Sequence, residues 1–311
     1  MSVNADGAER SENKHIATAG LVVVDKPGGM TSHDVVAKCR KAFRTRKVGH
    51  AGTLDPMATG VLILGLERAT KLLGLLALTT KSYSATIRLG AGTDTDDREG
   101  VLGERADVSG LDITAVAAAV EHFVGDIDQV PARVSAIKVD GRRAHDLARS
   151  GEEFALASRR VTVSRFDIGE HRIDDGWFDV DVEVDCSSGT YIRSLARDLG
   201  AALGVGGHLT ALRRTAVGPF TLAQATPLAA IVDDPSPAPT LDIDAAVTLA
   251  FPTRSVDDVE AQTVSNGRWL DPVGMRGVYA AVDRHGRAIG LLEEKGKRAA
   301  SVMVVRPSTM R

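Results

Sequence analysis

At residues 178–184, apolar and acidic side chains alternate without a break: Phe178, Val180, Val182 and Val184 are interleaved with Asp179, Asp181 and Glu183. A period of two predicts a strand with one buried and one wet face, which is the habit of antiparallel rather than all-parallel sheets. Tyr83, Ala85, Ile87 and Leu89 repeat that period. Helical spacing appears at Val35, Val36, Cys39 and Phe43, and again over 113–123 and 191–203. Thr31 and Asp34 have the spacing of a capping box, so a helix is expected over about 32–44. The apolar run Leu21-Val22-Val23-Val24 closes on Asp25-Lys26-Pro27-Gly28-Gly29, as a buried strand entering a turn does. The fold class is α+β, with a mixed, largely antiparallel sheet and flanking helices.

A chain of 311 residues has room for about two domains, and 43% hydrophobic content excludes disorder of the whole. Asp233-Asp234-Pro235-Ser236-Pro237-Ala238-Pro239 concentrates residues that cannot join helix or ladder hydrogen bonding. The boundary is expected there, giving a solvated tail at 1–19, a main domain at 20–232, a linker at 233–240 and a small β-rich domain at 241–311. Two strands around a turn are expected over 277–292. The greasiest stretch, 61–78, is interrupted by Glu67, Arg68 and Lys71, so no membrane span is expected. Cys39 and Cys186 make no disulfide framework and no metal spacing with histidine, and the tail lacks a signal-peptide core. These features together predict a cytoplasmic protein.

The most unusual segment is 47–62, with Gly49, Gly52, Gly60 and Pro56 around Asp55. Pro56 biases Asp55 toward extended angles, presenting on a stiff loop a carboxylate that is ionised at neutral pH and can act as a nucleophile. The plainer alternative is a turn whose Asp bonds nearby amides. Upstream, Lys38, Arg40, Lys41, Arg44, Arg46 and Lys47 carry six positive charges with no acid among them, in a chain of formal net charge −3. Such a run either meets phosphate or is a solvated helix face. Lys138, Arg142, Arg143, His145 and Arg149 form a second basic group. The acidic loop Asp94, Asp96, Asp97 lacks the glycine and spacing of a calcium loop, so no metal is expected. At 186–193 a strand passes into a helix that Ser188 or Thr190 can cap. Arg193 then lies in the first turn, where the dipole disfavours a cation and a carboxylate partner is expected.

These blocks together resemble the TruB family of bacterial tRNA pseudouridine synthases. The likeness runs from about 20 to 225, through Asp25-Lys26-Pro27, Thr31-Ser32, the 49–60 block, Ala69-Thr70-Lys71 and Lys81-Ser82-Tyr83. It continues through Thr93-Asp94-Thr95 with Asp97, Ser135-Ala136-Ile137-Lys138, Gly189-Thr190-Tyr191-Ile192-Arg193 and Leu212-Arg213-Arg214. The resemblance implies a pseudouridine synthase sheet core, a PUA-like RNA-binding C-terminal domain and isomerisation of uridine 55 in the tRNA T arm, with no cofactor. It implies that Asp55 is the nucleophile, attacking C1′ or promoting a glycal. Arg193 would be its salt-bridge partner, Tyr83 would stack on the base and assist proton removal, and Leu212 would form a pocket wall. His50 would stack in the T loop, while Lys71, Asp97 and Tyr191 would contact the substrate region. Arg40, Lys41, Arg44 and Arg46, with Lys138, Arg142 and Arg143 of a gripping insert at 131–150, would hold RNA. Val134 and His145 stand where relatives carry tyrosine. The implied partner is tRNA alone, bound by a monomer without membrane or obligatory protein partner. A tRNA-folding chaperone and a hydrolytic N-glycosidase are the alternatives; the latter needs a second acid or base.

Overall fold

The computed structural model describes residues 16, 18–135, 138, 139, 142, 143, 147, 150 and 154–310. Most of the expected tail, together with Ala136, Ile137, His145 and Arg149 of the insert, lies outside the described residues. In chain order the strands are β1 (Gly20–Lys26), β2 (Val48–Ala51), β3 (Thr59–Leu66), β4 (Lys81–Leu89), β5 (Gly125–Gln129), β6 (Lys138–Val139), β7 (Arg142–Arg143), β8 (Arg159–Asp174) and β9 (Trp177–Cys186). They continue with β10 (Gly207–Val217), β11 (Phe220–Thr221), β12 (Thr226–Pro227), β13 (Leu241–Asp242), β14 (Thr253–Ser255), β15 (Val278–Val282), β16 (Ala288–Lys295) and β17 (Arg298–Val304).

The chain divides into two compact units: Asp55–Gly60 with Leu78–Val217, and the remainder. In the first of these the strands run β10-β4-β9-β8-β5, antiparallel throughout. Burial alternates residue by residue along β4 and β9, as the sequence period requires. Tyr83 stands opposite Val184, and Ile87 opposite Val180. The helix Ile192–Ala202 turns Ile192, Leu195, Ala196 and Leu199 inward, and its Gly200 meets the start of β10 so closely that a Cβ would lie 2.2 Å from backbone atoms of Gly206 and Gly207. Thr59 and Gly60 pair in parallel with Arg213 and Arg214. Gly60 has φ +97°, and a Cβ there would sit 2.2 Å from the Arg214 carbonyl oxygen, so only glycine fits.

In the other unit β1 pairs with β12, β13 and the apolar part of β3, which also carries β2. Thr31 Oγ1 accepts from the Asp34 amide at 3.1 Å, and the Asp34 carboxylate accepts from the Thr31 amide at 2.9 Å, the expected capping box. The helix it starts, Ser32–Ala42, ends two residues short of expectation because Arg44 turns left-handed at φ +51° and its neighbour Thr45 bonds the Arg40 carbonyl. A separate four-stranded sheet, β14-β15-β16-β17, closes over Val264, Leu270, Tyr279, Ile289 and Leu292. It contains the hairpin expected over 277–292, with Val278–Val282 paired to Ala288–Glu293. The whole is the α+β class anticipated, and no helix among the described residues is long and apolar enough to cross a membrane.

One local expectation fails. Neither Ser188 nor Thr190 caps the helix Ile192–Ala202: its N-cap is Tyr191, and the Thr190 hydroxyl donates instead to the Ser187 carbonyl. Gln129 supplies the missing partner, its Oε1 accepting from the Tyr191 amide at 2.8 Å and its Nε2 donating to the Tyr191 carbonyl at 3.1 Å. A side chain from β5 thus fixes the residue before the helix in place of a local cap bond, which no spacing near 190 could reveal.

Candidate active site

Asp55 is held from its own loop. Ser32, fixed at the start of the capped helix, bonds both backbone groups of Leu54, accepting from its amide at 2.9 Å and donating to its carbonyl at 3.2 Å. The next residue, Asp55, closes a turn through the Ala58 amide. The turn is therefore made by the Asp55 backbone carbonyl and leaves the side chain to another partner. Its carboxylate faces Arg193: Nη2 donates to Oδ1 at 3.0 Å, and Nε lies 2.9 Å from Oδ2 without hydrogen-bond geometry.

Arg193 is anchored on every side. Nη1 donates to the Thr95 carbonyl at 2.8 Å and Nη2 to the Val134 carbonyl at 2.9 Å. Asp97 Oδ2 lies 3.6 Å from Nη1, while Oδ1 accepts from Thr95 Oγ1 and the Glu99 amide. The guanidinium side chain is 4% exposed and that of Asp55 34%. Burying a cation is expensive unless carboxylates and carbonyls surround it, and here they do. The result is a fixed positive charge behind a reachable acid. It answers the unfavourable helix-dipole position that Arg193 occupies.

Tyr83 and Leu212 line the same face. In the β4–β10 ladder Leu212 opposes Ala85 and Arg214 opposes Tyr83, and all four are buried or nearly so. Burial pushes the Tyr83 phenol above the ordinary tyrosine range; Arg214 pulls it back and the Asp55 charge adds to the rise. Tyr191, half-buried at the helix start, is raised by burial as well. Lys81, one step along the inner face from Tyr83, is brought down to about 8, chiefly by burial and then by Arg214.

The acidic loop is spent on structure. Asp94 accepts from the Val101 amide, Asp96 pairs with Arg197 at 3.1 Å and Asp97 serves Arg193. Among the described residues no three His, Cys, Asp or Glu side chains are placed to hold a metal.

The remaining anticipated residues lie in the other unit or on the insert. His50 sits on β2 with its ring edge-on to His33 at 5.4 Å, and Lys71 is exposed in the turn after β3. Arg40, Lys41, Arg44 and Arg46 are exposed, Arg40 also donating to the Val48 carbonyl. In the insert, β6 and β7 form a hairpin that sets Lys138 opposite Arg143, with Arg142 exposed beside them. Sequence reading gave no role to Arg214 or Gln129. For Arg214 a signal existed: two residues from Leu212 on a strand, it must share the pocket face.

Comparison with known proteins gives the chemistry a family. Residues 40–192 match the TruB family pseudouridylate synthase N-terminal domain, 193–236 the tRNA pseudouridylate synthase B C-terminal domain, and 251–306 the tRNA pseudouridine synthase II C-terminal domain. The tRNA pseudouridine synthase B of Rhodococcus jostii (strain RHA1) is 62% identical over 98% of this chain and 99% of its own. That of Nocardia farcinica (strain IFM 10152) is 64% identical over 93% and 94%. A solved Cbf5-Nop10-Gar1 complex has a chain 27% identical with TM-score 0.71, covering 96% of this chain and 88% of that one. An H/ACA RNP bound to a substrate RNA containing 2'-deoxyuridine has one 26% identical with TM-score 0.69, covering 94% and 87%. The chain belongs to the TruB family of pseudouridylate synthases and is an isomerase.

Proposed function

We propose that the protein isomerises uridine 55 in the T arm of tRNA to pseudouridine, with Asp55 as the reacting carboxylate. The relatives named tRNA pseudouridine synthase B support the substrate. The observation that carries the mechanism is the clamp: an arginine fixed by two carbonyls and two carboxylates aims one of those carboxylates at the pocket. A uridine inside a folded loop must leave its stack to reach Asp55, and unstacking costs a few kcal/mol. Tyr83 supplies a face for the flipped base, Leu212 a wall, and the exposed basic residues at 40–46, with Lys138, Arg142 and Arg143, contact phosphate. The family likeness assigns substrate contacts to His50, Lys71 and Tyr191, whereas Asp97 acts through Arg193.

With Asp55 reacting at the ribose, the C1′–N1 bond breaks and its electron pair leaves with the uracil. The base turns, C5 bonds to C1′ as the ribose releases Asp55 or recovers the proton it took, and the C5 proton departs with help from Tyr83 while N1 takes up a proton. A hydrolase would need a second free acid or base beside Asp55, whereas Asp94, Asp96 and Asp97 are engaged in bonds of their own. The protein acts as a cytoplasmic monomer with tRNA as its partner and without an organic or metal cofactor. The test is incubation of a T-arm hairpin with the protein followed by carbodiimide mapping. Pseudouridine at position 55 with unchanged RNA mass supports the reading; a released base or an unmodified RNA overturns it.

A further inference from the structure

Arg214 heads the almost wholly buried side chains by size, at 1% exposure, and the residue directly across the β4–β10 ladder from it is Tyr83. Directly opposed antiparallel residues share a face, with Cβ atoms about 4.5–5.5 Å apart. The register sets the two side chains together, Arg214 pulls the phenol down against the rise from burial, and because a guanidinium only donates, the phenol oxygen is the group that can accept. The position is specified by the backbone too: Arg214 pairs with Gly60, whose missing side chain lets the Asp55 loop approach it.

We infer that Arg214 is the positioning residue for Tyr83, holding the phenol oxygen and favouring its ionised form so that it can take the C5 proton. This rests on the role of Tyr83 proposed above. Once C1′ is joined to C5, that carbon carries both ribose and hydrogen. The phenolate takes the proton, the C5–H pair becomes the C5=C6 double bond, and the former C6=N1 pair moves to N1, which takes a proton from solvent. Tyr83 then returns its proton to solvent. Every other influence on the phenol is weaker or opposed. Burial and the Asp55 carboxylate from the loop disfavour phenolate, and the Cys186 thiol of β9 is itself pushed up to about 11. On β4, Lys81 lies two residues away with its Nζ donating to the Thr79 carbonyl at 2.6 Å. Arg214 is the permanent cation directly across the ladder from the phenol.

The experiment is single-turnover kinetics on a T-arm hairpin carrying uridine or 5-deuterouridine, using Arg214→Gln and Arg214→Lys, each alone and combined with Tyr83→Phe. Arg214→Gln should slow product formation by about a hundredfold with unchanged RNA affinity. Its rate should rise with pH as the phenol ionises, and a primary deuterium isotope effect should appear. Arg214→Lys should recover part of the rate, and neither substitution should cost anything further in the Tyr83→Phe background. The chain has three tyrosines, so 13Cζ-tyrosine NMR, with Tyr83 identified by its loss in Tyr83→Phe, should show the phenol titrating higher in Arg214→Gln. Equal losses for Gln and Lys, persisting in Tyr83→Phe without an isotope effect, would reduce Arg214 to a packing residue. If Arg214→Gln does not fold, the Arg214→Lys cycle decides alone. A wild-type rate for Tyr83→Phe would overturn the role of Tyr83 itself, a distinct result.

Discussion

Arginine–aspartate pairs occupy two settings within one unit of this protein, its outer sheet surface and its interior. On the wet face of β4, β9 and β8, Arg88 meets Asp179, Arg165 meets Asp185 and Arg172 meets Asp181, each at 2.7 Å. Inside, Arg193 meets Asp55 at 2.9 Å. The distances hardly differ. What differs is which partner is hidden: Arg165 and Asp185 are 40% and 32% exposed, whereas Arg193 is 4% exposed and Asp55 34%. In the ladder both ions stay partly in water, which screens their attraction. Inside, the cation is locked away and the acid is left reachable, as the role proposed for Asp55 requires. Pair distance alone therefore does not separate the two settings, whereas the burial of the partners does.

The harshest way to break that contrast is Asp55→Asn. It should cut pseudouridine formation by about a thousandfold or more, the scale of losing a reacting group, and leave RNA affinity within several-fold because phosphate contacts are untouched. Substantial product by a carbodiimide assay from this variant removes Asp55 from the chemistry.

Next comes Arg193→Lys, which keeps the charge and loses the planar fork. Misaiming the acid should slow single turnover by about a hundredfold, while Arg165→Lys on the ladder leaves the rate unchanged. Equal effects would mean that burial is not what distinguishes the pairs. In chemical denaturation, Arg193→Met should cost about 3–5 kcal/mol by stranding Asp97.

Tyr83→Phe keeps the ring and should slow product formation without weakening RNA binding, whereas Tyr83→Leu should also lose about 1–3 kcal/mol of binding. Wild-type binding for the leucine variant would deny the stacking role.

Neutralising Arg40, Lys41, Arg44 and Arg46 sharpens the contrast from outside the pair. If these exposed charges serve RNA, the slope of log K against log salt falls by about 0.7–0.9 for each lost phosphate contact, and the melting temperature stays put. An unchanged slope makes the run a solvated surface. The smallest effect is expected for Arg165→Ala, within about 1 kcal/mol of wild-type stability because exposed pairs are worth little. A larger loss would show that the ladder holds the sheet together.

What could be read before folding was whatever depends on near neighbours. Thr31 and Asp34 are three residues apart, and their capping box forms as spaced. The alternation at 81–89 and 177–186 became two buried-face strands, and the turn near 286 became the hairpin of β15 and β16. The left-handed Arg44 was not legible, because its conformation follows from how the preceding helix ends rather than from its type. Nor was the cap at Tyr191, which Gln129 reaches from 62 residues away.

The sequence by itself determined the faces of the 81–89 and 177–186 strands, and with them that Tyr83 shares the inner side with Ala85, Ile87 and Leu89, because a period of two leaves no other choice once the apolar set is buried. It also carried the family, through ordered blocks spread over most of the chain. Only the tertiary structure decided which acid meets Arg193, since Asp55 lies 138 residues away and Asp97 competes for the same guanidinium. Ladder register likewise decided that Arg214 faces Tyr83. Local spacing constrains the direction of a side chain, but partners so distant in sequence are set by strand register and loop closure, which depend on the packing of the whole sheet.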